Sequence, residues 1–170
     1  MSDMPIQIVD EHDVPIRSGS SSEAQEKGLW HRIVRIMVED GTGSVLLQKR
    51  LPNRKLFPNR WDNSAAGHVD YGESFEIAAA RELNEEIGLS GVELYELGYY
   101  QTHGTFEGRK LNRFNKAYKV VVPYDTQFTP QPEEVATTRW YSIDEMKQLA
   151  HDAPDKVTDG ILEVVERFYT

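Results

Sequence analysis

Apolar residues recur along the chain in short bursts set between polar, glycine-marked or proline-marked breaks, and the spacing within each burst predicts its element. Residues 6–9 and 14–16 are two brief runs around a polar turn at residues 11–13. They predict a hairpin whose second strand lies at an edge, because Pro15 has no N–H to donate. Residues 17–28 include Ser18, Gly19, Ser20, Ser21 and Ser22 in a row and read as a polar loop with a helical turn over residues 22–27. Residues 31–38 carry Ile33, Val34, Ile36, Met37 and Val38, a β-branched run too short for a lone helix and therefore a strand. Asp40-Gly41-Thr42-Gly43 turns the chain, and residues 45–49 return as its neighbour. Residues 51–60 are basic and broken by Pro52 and Pro58, so a loop is expected there, followed by an extended stretch over residues 61–69.

Over residues 74–87 the period changes. Phe75, Ile77, Ala78, Leu83 and Ile87 supply an apolar side, Ala78, Ala79 and Ala80 favour the helix, and Gly88 stops it. Residues 92–102 and 111–122 read as strands joined by a turn at 104–110, with a loop at 126–132. Ser142 caps an expected helix over residues 143–150, and a last helix follows Pro154 at about residues 158–169. Interleaved helices and hairpin-linked strands predict one α/β domain over residues 1–170, with a mixed β-sheet and helices packed on it. Within it, residues 1–28 form the N-terminal hairpin and polar loop, 29–141 the core, and 142–170 the C-terminal helices.

Composition narrows the chemistry. The chain of 170 residues has a net charge of −9 and no cysteine. The acidic balance argues against a nucleic-acid or anionic-membrane partner, since phosphate backbones reward Lys and Arg. Without cysteine there is no disulfide, thiolate-ligated zinc, iron–sulfur cluster or thiol nucleophile. No apolar run reaches the ~18 residues of a membrane span, and residues 1–13 carry four acids, no Lys or Arg and no apolar leader core. A cytoplasmic protein is the expectation. An anionic substrate remains compatible if a metal stands between it and the protein.

The last turns of the 74–87 helix hold Glu82, Glu85 and Glu86. Residues three and four apart share a helix face, so Glu85 and Glu86 both lie near Glu82. Anions at a helix C-terminus also oppose the helix dipole. A hard divalent cation offsets both effects. Arg81, four residues before Glu85, braces the cluster, and Glu73 is its second partner. Residues 67–89 match Gly-x5-Glu-x7-Arg-Glu-U-x-Glu-Glu-x-Gly-U, with U aliphatic, at every fixed position. Chance agreement in a chain this long is about one in ten million.

This stretch resembles the Nudix box, and the chain resembles a Nudix hydrolase, which implies an α/β/α sandwich. The resemblance implies Mg²⁺ or Mn²⁺ held by Glu82, Glu85, Glu86 and the Gly67 carbonyl, with Glu73 and Arg81 as structural supports. It also implies cleavage of a diphosphate linkage in a nucleoside diphosphate joined to another moiety, with water as nucleophile. One of the glutamates, or a base elsewhere such as Glu134, takes the water's proton. Arg50 and Arg60 in the basic segment, together with His68, are the candidates for substrate contact, because guanidinium forks match phosphate oxygens.

Upstream, His31-Arg32, the strand ending at Arg50, Phe57-Pro58, Trp61-Asp62-Asn63 and Gly67-His68 resemble the Nudix branch that contains isopentenyl diphosphate isomerase. His31 and His68 match two of that enzyme's metal-binding histidines. The isomerase needs a cysteine where this chain has Ala66, and a glutamate on a later strand where this chain has Asn115-Lys116-Ala117. The expected function is therefore diphosphate hydrolysis on a small-molecule substrate, with isomerase-like activity and a non-catalytic nucleotide-binding module as alternatives. Monomer and homodimer both remain open.

Overall fold

The computed structural model describes residues 4–170, and the first three residues of the expected N-terminal segment lie outside the described residues. In chain order come β1 (Ile6–Val9), β2 (Pro15–Gly19), α1 (Ser21–Lys27), β3 (Trp30–Glu39), β4 (Ser44–Arg50), β5 (Trp61–Asp62), β6 (Ala65–His68) and α2 (Phe75–Ile87). There follow β7 (Tyr95–Thr102), β8 (Thr105–Phe106), β9 (Arg109–Lys110), β10 (Arg113–Val121), β11 (Val135–Ser142), α3 (Ile143–Asp152) and α4 (Asp159–Phe168).

Strand β3 organises the sheet. It pairs in parallel with β10 along its length, from Arg113↔His31 to Val121↔Glu39. On its other side it meets β1, β6 and β4 in turn, all antiparallel. β7 extends the sheet beyond β10, and β11 extends it beyond β4. One parallel pairing among antiparallel ones makes the sheet mixed.

Alternation along β3 sends its residues to two opposite layers. Val34, Ile36 and Val38 pack under α2 against Ala78, Ala79, Leu83 and Ile87. Met37 packs on the other face, with Met146 of α3 and Ile161 and Val164 of α4. The result is the expected α/β/α sandwich. Arg35 shares parity with Met37, so a charge is buried on the α4 face.

Several boundaries differ from expectation for local reasons. β2 continues to Gly19 because Arg17 and Ser18 pair with Ile8 and Gln7, an edge ladder that leaves polar side chains in solvent. The expected single turn at residues 22–27 is a full short helix, capped by Ser20 and ended by Gly28 at φ 71°. Val92 and Leu94 pack on the core before β7 begins at Tyr95, outside the strand ladder. The turn at 104–110 is a small hairpin, β8–β9, turning through Glu107 and Gly108 at φ 47° and 79°. Among the described residues no helix is long and apolar enough to cross a membrane.

Candidate active site

α2 is fixed at both ends. Ser74 accepts a hydrogen bond from the Ile77 N–H at its start, and the Gly88 N–H bonds back to the Leu83 and Asn84 carbonyls at φ 70°. This sets which glutamates turn inward. Glu82 and Glu86 are 8% and 6% exposed, whereas the Glu85 side chain is 44% exposed. The two inward carboxylates face β6. Glu86 Oε2 accepts from the Ala66 N–H at 2.9 Å and from Gln48 Nε2 at 2.9 Å. Glu82 lies over Gly67 so closely that a Cβ there would sit 2.2 Å from its carboxylate. A side chain at residue 67 would push the Glu82 carboxylate aside.

Arg81 ties helix to loop. Its Nε and Nη2 donate to the two oxygens of Glu73 at 2.7 and 2.9 Å. Its Nη1 donates to Glu82 at 2.8 Å and Glu85 at 3.2 Å, and its Nη2 to the His68 carbonyl at 3.0 Å. The two-pronged grip on Glu73 is the strong geometry for an arginine–carboxylate pair.

Glu82, Glu85 and Glu86 line a cavity of about 680 Å³, and Glu134, from the loop before β11, joins them there. Burial raises the Glu86 carboxyl well above the carboxylate range, and the neighbouring Glu82 charge raises it further. Burial raises Glu82 too, against the pull of Arg81. Glu134 adds to both shifts by like-charge repulsion. Among the described residues no three acid or imidazole groups already converge as a cage, and Arg81 occupies oxygens of Glu82 and Glu85. The donors are nevertheless all hard oxygens, and the Glu82 and Glu86 carboxylates repel one another even though Arg81 holds Glu82. That chemistry fits Mg²⁺ or Mn²⁺.

The other side of the same cavity is cationic. Arg50 lines it, with Nε donating to the Leu56 carbonyl at 3.0 Å and Nη1 to Asp62 at 3.2 Å. His68 lines it as well, its Nε2 buried without a hydrogen-bond partner and its ring 5.4 Å from His31. Burial lowers the His68 pKa strongly, and the neighbouring His31, Arg113, Arg54 and Arg35 lower it further. His31 is pushed down to about 4, by burial and then by Arg113. Its Nδ1 lies 2.9 Å from the Leu29 carbonyl, which assigns the proton to that nitrogen.

Arg60 does not join this group. Its guanidinium lies over the rings of Phe57 and Phe106, 5.3 and 5.4 Å from their centroids, and reaches the Val157 carbonyl at 3.4 Å. The Phe106 hairpin and the turn at Pro154–Lys156 capture it, which no local pattern in residues 51–60 announces. Conversely, Arg35 and Arg113 line the cavity without having been singled out. The available signal was a lone arginine inside the apolar run of residues 33–38. Arg113 had none, since its exposure depends on β10 pairing with β3.

Residues 29–160 match the NUDIX domain. The chain belongs to the NUDIX family. Among curated proteins, this NUDIX chain is 31% identical over 158 residues to isopentenyl-diphosphate Delta-isomerase 2 of Photorhabdus laumondii, covering 93% of this chain and 88% of that one. It is 31% identical over 141 residues to an uncharacterized Nudix hydrolase of Yersinia pestis, covering 83% and 74%. Among solved structures, DR0079 of Deinococcus radiodurans superposes with a TM-score of 0.78 at 24% identity, over 98% of this chain and 99% of that one. That likeness establishes the shared fold.

Proposed function

We propose that this NUDIX protein is a metal-dependent hydrolase that cleaves a diphosphate linkage in a small molecule, a nucleoside diphosphate joined to another moiety. The reading is carried by one observation: Glu82 and Glu86 are buried side by side against Gly67 and Ala66, a like-charge pair that a bound divalent cation would hold ionised. In this reading Glu82, Glu85, Glu86 and the Gly67 carbonyl hold Mg²⁺ or Mn²⁺. The metal, when bound, screens the diphosphate oxygens and makes water a better nucleophile. Glu73 clamps Arg81, and Arg81 holds the end of β6 that carries His68 against α2. The two bonds to Glu86 fall on one oxygen, Oε2, and leave Oε1 for a ligand. A carboxylate of the set Glu82, Glu85, Glu86 and Glu134 takes the proton from water. Arg50 and His68 meet the substrate from the opposite wall. Arg60 acts by holding the loop of residues 51–60 in place.

The names of the curated relatives favour a second reading, isomerisation of an allylic diphosphate. Three features of the cavity weigh against it. Ala66 stands where that chemistry needs a thiol. β10, from Arg113 to Val121, contains no glutamate. Arg35, paired directly across from Ala66, puts a buried guanidinium beside it, which disfavours a carbocation there. Ala66→Cys alone is therefore expected to produce no double-bond migration in isopentenyl diphosphate, as followed by product chromatography. The test of the main reading is a panel of diphosphates with added Mg²⁺ or Mn²⁺ and identified products. Cleavage that stops in Glu86→Gln is expected, and full cleavage in excess chelator would overturn it.

A further inference from the structure

The cavity extends past Ala66 to a pair of guanidinium groups that the hydrolase reading leaves without a task. Arg35 on β3 is 3% exposed and Arg113 on β10 is 5% exposed, and both line the cavity. Arg35 is held mainly by neutral amides: Nε donates to Asn115 at 3.1 Å and Nη1 to Asn63 at 3.4 Å. Its Nη2 makes no hydrogen bond, and Glu163 stands 3.6 Å from it. Arg113 Nη1 donates to Asp159 at 3.0 Å, and its Nε is buried without a partner. A buried N–H left unpaired costs stability that an incoming acceptor restores. The helix opposite makes room for Arg35: a Cβ on Gly160 would lie 2.1 Å from Arg35 Nη1 and 2.7 Å from Asn63 Oδ1.

We propose that Arg35 and Arg113 form an oxyanion subsite for a second phosphoryl group of the substrate, separate from the diphosphate that is cleaved. This rests on the hydrolase reading and extends it to a substrate class. The paired register puts Ala66, which bonds Glu86, beside Arg35, and puts Arg113 on the strand beyond β3. Two strand spacings and four residues of register put the backbones of Ala66 and Arg113 about 16 Å apart. Arg35 pairs directly across from Ala66 and the long Arg113 side chain also lines the cavity, so a sugar-sized spacer between a diphosphate and a phosphomonoester suits the distance left between them. The class is a nucleoside or sugar carrying a diphosphate at one end and a phosphomonoester at the other. A hydrocarbon in the same place would leave the free N–H groups of Arg35 and Arg113 without acceptors, whereas a tetrahedral oxyanion accepts from both forks.

Two measurements test this. Inorganic phosphate titrated calorimetrically into the full chain in EDTA is expected to bind saturably. Binding is expected to weaken at least tenfold in Arg113→Met. In Arg113→Lys, which keeps the charge toward Asp159 and so the fold, it is expected to weaken by a smaller factor. Matched substrates, coenzyme A against 3′-dephospho-coenzyme A and NADPH against NADH, are then compared with Mg²⁺ present. The phosphorylated member of at least one pair is expected to have a KM at least tenfold lower, and Arg113→Met to bring that ratio toward one. Absent phosphate binding, binding indifferent to both Arg113 variants, or an equal KM within both cleaved pairs would overturn the subsite. If no diphosphate is cleaved, the hydrolase reading fails by itself and the phosphate titration still decides whether the subsite exists.

Discussion

Glu86 and Arg113 are both charged, both nearly sealed from solvent and both in one cavity, yet their surroundings differ in kind. Glu86 is surrounded by its own sign: Glu82, Glu134 and Asp62 all oppose its ionisation. Its hydrogen bonds come from a backbone N–H and an amide. Arg113 is opposed by Arg35 but steadied by Asp159, Glu163 and Asp62. The acidic end is thus short of positive charge, and the basic end has its cations compensated while N–H groups remain unsatisfied. A cation completes the first region, and an acceptor that need not bring a full counter-charge completes the second. A substrate spanning both would meet the protein through metal at one end and through hydrogen bonds at the other.

The largest expected effect of breaking this contrast comes from Glu86→Gln. It keeps the shape and the two hydrogen bonds' geometry but removes a ligand charge, and turnover is expected to fall about 10³-fold. Thermal unfolding without metal should be unchanged or shifted upward, because a like-charge repulsion is gone. Gly67→Ala comes next. Its Cβ would force the Glu82 carboxylate aside, and a displacement of that size is expected to lower kcat/KM about 10²-fold in steady-state assays. The far-ultraviolet circular dichroism should be retained, since only a side-chain end has to move. Arg81→Ala strips the partner from Glu73 and Glu82 together, and a loss of about 2–3 kcal/mol in urea unfolding is expected. Arg60→Ala sharpens the comparison from outside. Its contacts are two aromatic faces and one carbonyl, so unfolding should show a loss of about 1 kcal/mol or less, with the metal dependence of turnover intact.

The two regions also differ in how far the sequence disclosed them. Glu73, Arg81, Glu82, Glu85 and Glu86 fall within one loop and one helix, so helical spacing alone brings them together and residues 67–89 could be read as a unit. The helices and the central strands were legible for the same reason, as each is set by a local period, while the α/β/α sandwich followed from the resemblance of residues 67–89 to the Nudix box. The cationic end is assembled from β3, β10 and α4, which are distant in sequence. Arg35 and Arg113 meet only because β10 crosses back to lie parallel to β3, a pairing that no local pattern encodes. Arg60 shows the converse: its basic neighbours suggested a role toward substrate, but a hairpin some fifty residues on, carrying Phe106, draws it away. The short hairpin β8–β9 was itself hidden, because Glu107 adopts a left-handed conformation that sequence favours only weakly for that residue.

The central claim is that the acidic end of the cavity directs water onto a diphosphate. Its most direct test is product analysis in ¹⁸O-labelled water across a diphosphate panel, with Mg²⁺ or Mn²⁺, for the native chain and Glu86→Gln. The account predicts one ¹⁸O atom in a released phosphate product with the native chain, and loss of that product in the variant and in chelator. Unlabelled product, undiminished cleavage in chelator, or conversion of isopentenyl diphosphate without phosphate release would contradict it.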